Sequence, residues 1–220
     1  QSSTSDKFVM ANNNLGDYGT VANVGAEVIR LWWYSLTLPP NVPAKQTIQQ
    51  LASWTTDSGS EPPEWAARAL DQSGASKALC SPGVYAFDAR HDSRPAGGIL
   101  YIGQAGGKKT PEKEAKRLLK DRIPESCQKF AWSDGEDAGF YSDTWDVTLR
   151  WAKADAKRML DVERVLIHAH APSFNSQHVR GALRDKGSKT LVILNGGSKG
   201  TLLPVVAGHW FNDKLWPVPT

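Results

Sequence analysis

The pattern of this chain changes at Gly83, and that change limits the fold more than any other feature. Before it, apolar residues come in helix-like groups broken by proline. Residues 22–36 contain the run Val28-Ile29-Arg30-Leu31-Trp32-Trp33-Tyr34, and Pro39 and Pro40 follow closely, which predicts a helix ended by the prolines. Residues 44–54 space their apolar positions like a second helix. Pro62 and Pro63 open a third over 64–73. Residues 1–20 are polar and rich in Asn, Ser and Gly, the composition of a loose arm. Residues 1–82 are therefore expected to form a mostly helical N-terminal extension.

After Gly83 the periods shorten. Two apolar segments, 84–89 and 99–102, flank a polar, glycine-containing link, which predicts a hairpin. Residues 111–121 hold good helix formers behind Pro111. Residues 145–151 alternate as a half-buried strand does. The clearest helix runs over 155–169, with Asp155 as its cap and Pro172 as its stop. Segments 190–194 and 201–206 flank Asn195-Gly196-Gly197-Ser198-Lys199-Gly200, the signal of a C-terminal β-hairpin. The expected class is α+β: a small mixed sheet over 83–220, flanked by helices, with the Tyr85 and Tyr101 strands at its centre.

Composition narrows the possibilities without naming a function. With 220 residues and 40% hydrophobic content the chain can bury a sizeable core. No apolar stretch is long enough to span a bilayer, so no membrane partner is expected. No basic leader followed by an apolar run opens the chain, although the start at Gln1 leaves room for an upstream segment. Two cysteines, Cys80 and Cys127, exclude a disulfide-rich scaffold and suit a reducing, cytoplasmic setting. The net charge of +3 divides into −2 over residues 1–82 and +5 over 83–220. Residues 108–122 carry seven cations and three acids, which serves a phosphate backbone or a plain solvated helix face.

Three pieces of the second region combine. Gly83-Val84-Tyr85 opens the first strand of the hairpin, and Leu100-Tyr101-Ile102-Gly103-Gln104-Ala105 lies on its partner. Glu163 sits in the clearest helix, twelve residues before Asn175. On a helix Glu163 shares a face with Met159, Leu160, Leu166 and Ile167. An ionised carboxylate among such neighbours costs on the order of several kcal/mol unless compensated. A divalent cation or a salt bridge to an arginine would each compensate it. Tyr85 and Tyr101 are ordinary strand aromatics unless they open onto a reacting group. Gly103 permits a close backbone approach or simply ends a strand.

These residues resemble the GIY-YIG nuclease superfamily. Gly83-Val84-Tyr85 looks like its first tripeptide, and Tyr101-Ile102-Gly103 is its second. Glu163, Leu166-Ile167, Pro172 and Asn175 are similar to its Glu…Pro…Asn signature, so the likeness covers 83–177. The resemblance implies a metal-dependent endonuclease that hydrolyses nucleic-acid phosphodiesters, with DNA favoured over RNA. It implies Mg²⁺ or Mn²⁺ on Glu163, Tyr85 deprotonating the attacking water, and Tyr101 positioning the water or the phosphate. It implies an arginine in the helix after the second tripeptide, for which Arg117 is the best match and Arg122 the rival. Asn175 would brace the site. Lys108, Lys109, Lys116 and Arg122 are the candidates to contact nucleic acid.

The chain departs from the family in two places. The link from Gly103 to Arg117 is longer than in compact members. Asp121 stands one turn after Arg117, where many relatives carry His or Tyr. Stand-alone size suits a restriction or defence endonuclease, and cutting both strands would favour a homodimer. A toxin-type nuclease domain and a catalytically silent nucleic-acid-binding module are the alternatives. His168 and His170 lie two apart and point to different helix faces, and the nine tryptophans suit a core more than base stacking.

Overall fold

The computed structural model describes residues 26–37, 64–91, 94–106, 118–130, 145–175, 189–211 and 214–217, and these form an α+β arrangement. The strands are β1 (Ala26–Thr37), β2 (Gly83–His91), β3 (Arg94–Ala105), β4 (Trp145–Lys153), β5 (Lys189–Gly197), β6 (Val205–Phe211) and β7 (Lys214–Pro217). They make one mixed sheet in the order β3-β2-β4-β1-β5-β6-β7. β1 and β5 run parallel, and the other neighbouring pairs run antiparallel. The described helices are α1 (Glu64–Leu70), α2 (Ala75–Leu79), α3 (Leu119–Phe130) and α4 (Met159–His170).

The two faces of the sheet bury different sets of side chains because strand residues alternate. On one face Tyr85, Phe87, Leu149 and Trp151 pack with residues of α1, α2 and α3. On the other, Val84, Ala86, Ile102 and Ile193 pack with Met159, Val162, Leu166 and Ile167 of α4. The sheet is thus the middle of three layers. No described helix is long and apolar enough to cross a membrane.

Several expectations change. The helix predicted over 22–36 is replaced by β1, which lies between β4 and β5. Leu31 and Trp33 join the α4 face while Leu36 joins the other. A strand covered on both faces reads as one continuous apolar run, which hides its period of two. A division at residue 82 therefore cuts through this sheet, and 1–82 is not a separate helical extension. β3 is an edge strand, not a central one, because β2 pairs with β4 on its far side.

Smaller differences concern element ends. The third helix, expected over 64–73, ends at Leu70 as α1, and α2 follows as a separate helix beyond that span, with Gly74 left-handed before it (φ 89°). α4 begins at Met159, preceded by a turn in which Asp155 Oδ1 accepts the Lys157 N–H at 2.9 Å. β5 and β6 are longer than expected, and Thr201 falls in the turn between them. The helix predicted over 44–54 lies outside the described residues.

Candidate active site

The site forms at the outer edge of the sheet, around β3. Tyr85 stands opposite Gly103 in the β2–β3 register. A Cβ on Gly103 would overlap the Tyr85 ring and hydroxyl and come within 2.9 Å of Tyr101 Cε1. Glycine is required here so that the Tyr85 phenol can lie over the backbone of β3. The two tyrosine rings lie 6.0 Å apart, tilted by 43°. Tyr85 is wholly buried, and Tyr101 is half-buried.

α3 brings a cation and a hydroxyl onto this pair. Its start is fixed beside the entry to β2, where the Leu119 N–H donates to the Ser81 carbonyl at 3.1 Å. The Leu118 N–H donates to Asp121 Oδ2 at 3.2 Å. Leu119 and Ile123 pack into the core, which turns Arg122 and Ser126 toward the tyrosines. The Ser126 and Tyr85 hydroxyls hydrogen-bond to each other, and Ser126 is completely buried. Arg122 donates to Glu125 Oε2 at 2.8 Å while its charge also acts on Tyr85 and Tyr101.

Burial raises the Tyr85 pKa well above its ordinary value, and the neighbouring Tyr101 adds to this. The Ser126 hydrogen bond and the Arg122 charge oppose the rise, while Glu163 reinforces it. The phenol is therefore neutral around pH 7 in this conformation, and any role as a base needs additional positive charge nearby.

Glu163 approaches from the opposite layer. It is 6% exposed on α4, and burial pushes its carboxyl up to about 7, against the lowering influence of Arg164 and Arg122. Among the described residues its carboxylate has no hydrogen-bond or ion-pair partner. That fits one test for a divalent cation: a largely buried carboxylate under the charges of Arg164 and Arg122 but with no described hydrogen bond or ion pair, able to offer oxygen to a hard ion. Among the described residues no three His, Cys, Asp or Glu side chains converge as a protein-only metal cage. A single carboxylate completed by water and phosphate oxygens does not require one.

Asn175 closes the edge. Its Oδ1 accepts the Ile102 N–H at 2.8 Å and its Nδ2 donates to the Ile102 carbonyl at 2.7 Å. The Phe174 N–H donates to the Leu100 carbonyl at 3.0 Å. Backbone groups of an edge strand that would otherwise need water are thereby satisfied, and the segment between Tyr101 and Gly103 is pinned.

The structure therefore brings together Tyr85, Tyr101, Arg122, Glu163 and Asn175. Arg117, Lys108, Lys109 and Lys116 lie outside the described residues. Arg122 lies among the described residues, and its charge acts on Tyr85, Tyr101 and Glu163. Ser126 had no signal of its own in the sequence. Its only pointer was its position four residues after Arg122, on the same helix face.

A second charged cluster lies on β2 and β4. Arg150 donates to Asp88 Oδ2 through Nε at 3.0 Å and Nη2 at 2.7 Å, and through Nη1 to the Ser198 carbonyl at 2.7 Å. Thr201 Oγ1 donates to Asp88 Oδ1 at 2.9 Å. No protein-family profile, curated protein or solved structure matches the chain.

Proposed function

We propose that the chain is a metal-dependent endonuclease that hydrolyses nucleic-acid phosphodiesters, acting on double-stranded DNA in a restriction or defence role. One observation carries the reading: Tyr85 and Tyr101 meet over Gly103, and the charges of Arg122 and Glu163, from two further elements, act on Tyr85. Tyr85, Arg122 and Glu163 are perturbed, and perturbed ionisable groups acting on one another favour a chemical role over a packing one.

Bound Mg²⁺ or Mn²⁺ would supply Lewis-acid polarisation of the scissile phosphate and stabilise the leaving oxygen. Glu163 is the residue that would hold the ion. Arg117, or its rival Arg122, offsets the charge that builds on the phosphate in the transition state. Tyr101, the half-buried phenol, orients the water or a phosphate oxygen. Tyr85 accepts the water's proton once its own has left, a state Arg122 favours. Asn175 keeps the Tyr101–Gly103 backbone in place throughout.

Incubation of the wild type and Glu163→Ala with plasmid, single-stranded DNA and RNA, in Mg²⁺ or EDTA, tests this reading. Expected is Mg²⁺-dependent cutting of DNA that the variant loses by roughly a thousandfold or more while still binding it. Undiminished cutting by Glu163→Ala would sink the assignment.

A catalytically silent nucleic-acid-binding module is favoured by one feature, the burial of Tyr85 with its hydroxyl committed to Ser126. Binding without cutting of any substrate by the wild type would select it.

A further inference from the structure

Ser126 is a polar side chain that the nuclease reading leaves without a role. A helical serine commonly turns its hydroxyl back to the carbonyl one turn earlier. Ser126 instead meets the Tyr85 phenol, its hydrogen-bond partner among the described residues. Both groups are wholly buried, so no solvent competes for either hydroxyl. A buried hydroxyl pair adds little net stability over an apolar pair of the same shape. What it adds is direction, because the phenol O–H must point along one line to keep the bond.

Among the described residues, the charged and titratable groups acting on the phenol are Tyr101 from β3, Arg122 from α3 and Glu163 from α4. Arg122 and Ser126 are one turn apart, so one rigid helix delivers both the cation and the hydroxyl. The serine oxygen can accept from a phenol or donate to a phenolate by rotating a single bond. The same contact therefore serves Tyr85 in either ionisation state.

We propose that Ser126 is a positioning residue for the hydrolytic reaction, holding the Tyr85 hydroxyl over Gly103 in one orientation for proton transfer. The inference rests on the nuclease reading.

The test compares Ser126→Ala, Ser126→Thr, Tyr85→Phe and the Ser126→Ala/Tyr85→Phe double variant in Mg²⁺-dependent cleavage of the best substrate. Ser126→Ala should lower kcat about 10- to 100-fold with KM changed less than about threefold. Ser126→Thr, which keeps the hydroxyl, should recover most of the loss. In the Tyr85→Phe background Ser126→Ala should add nothing. A wild-type kcat for Ser126→Ala, or an equal further loss in the Tyr85→Phe background, overturns the proposal. Should Ser126→Ala fail to fold, Ser126→Cys has nearly the same volume and a weaker hydrogen bond, and the same criteria apply.

A second readout needs no activity. With ¹³C-labelled tyrosine, the Tyr85 Cζ resonance, identified by its loss in Tyr85→Phe, should move in Ser126→Ala and return in Ser126→Thr. An unmoved resonance counts against the proposal even in an active enzyme. If the wild type cuts nothing while the resonance responds as expected, the nuclease reading fails and the hydroxyl contact stands.

Discussion

Among the described residues the sheet carries two groups of buried charge, and they are finished in opposite ways. At Asp88 and Arg150, side chains 8% and 12% exposed, an ionic partner, a threonine hydroxyl and a backbone carbonyl together meet the charged atoms. At the β3 edge, Glu163 is as deeply buried but has no such partner among the described residues, and its carboxyl sits near 7. A fully paired cluster fixes the position of the β5–β6 turn against β2 and β4. A cluster left short of compensation has capacity for something that arrives later. The contrast separates a structural ion pair from a candidate catalytic centre more firmly than burial alone.

The largest expected effect comes from breaking the paired cluster. Arg150→Ala leaves Asp88 buried beside Thr201 alone and should cost roughly 3–5 kcal/mol of stability. Denaturant unfolding measures it. A small stability change with cleavage abolished would reverse the roles assigned to the two clusters.

The unpaired carboxylate gives the next effect, and its sign follows from the raised pKa. A carboxyl titrating near 7 when folded and near 4.5 when unfolded favours the folded state below about pH 4.5. That contribution is lost as pH rises through about 7. Glu163→Gln should therefore gain stability relative to the wild type between pH 5 and pH 8, by on the order of 2–3 kcal/mol at most. Added Mg²⁺ should narrow the gap at pH 8 by binding only the wild-type carboxylate. Thermal melts of both proteins across that range, with and without Mg²⁺, provide the comparison. Parallel curves would mean that Glu163 is not the strained group.

The smallest effect concerns the connection from α4 to Asn175. Ala171 ends α4 in the left-handed region (φ 43°, ψ 55°), and its N–H donates to the Ile167 carbonyl. Glycine adopts that conformation without a Cβ penalty, so Ala171→Gly should stabilise the fold by about 0.5–1 kcal/mol. A loss of stability would show that the Ala171 side chain contributes more than its backbone costs.

Parts of the fold were legible because they rest on local signals. The short apolar segments around Tyr85 and Tyr101 read as paired strands, and the periodic run ending at Pro172 read as the helix that carries Glu163. β1 was not legible, since Leu31 and Trp33 face one layer and Leu36 the other. In the site, the sequence left Arg117 and Arg122 as rivals because both follow the second tripeptide on helix-forming sequence. Ser126 carried no signal, since a lone serine in a basic helix has many ordinary uses.

What the sequence by itself determined were the α+β class and the order of the strand and helix that carry Tyr85, Tyr101 and Glu163. These depend on periodicity and punctuation over a few residues. Tertiary structure alone decided that β1 joins β4 to β5 in one sheet and that β3 lies at its edge. It likewise placed Ser126 against Tyr85 within reach of the Arg122 charge, and Asn175 against Ile102. Such pairings join residues far apart in the chain, and only the burial of both sheet faces together makes one arrangement of them more stable than the rest.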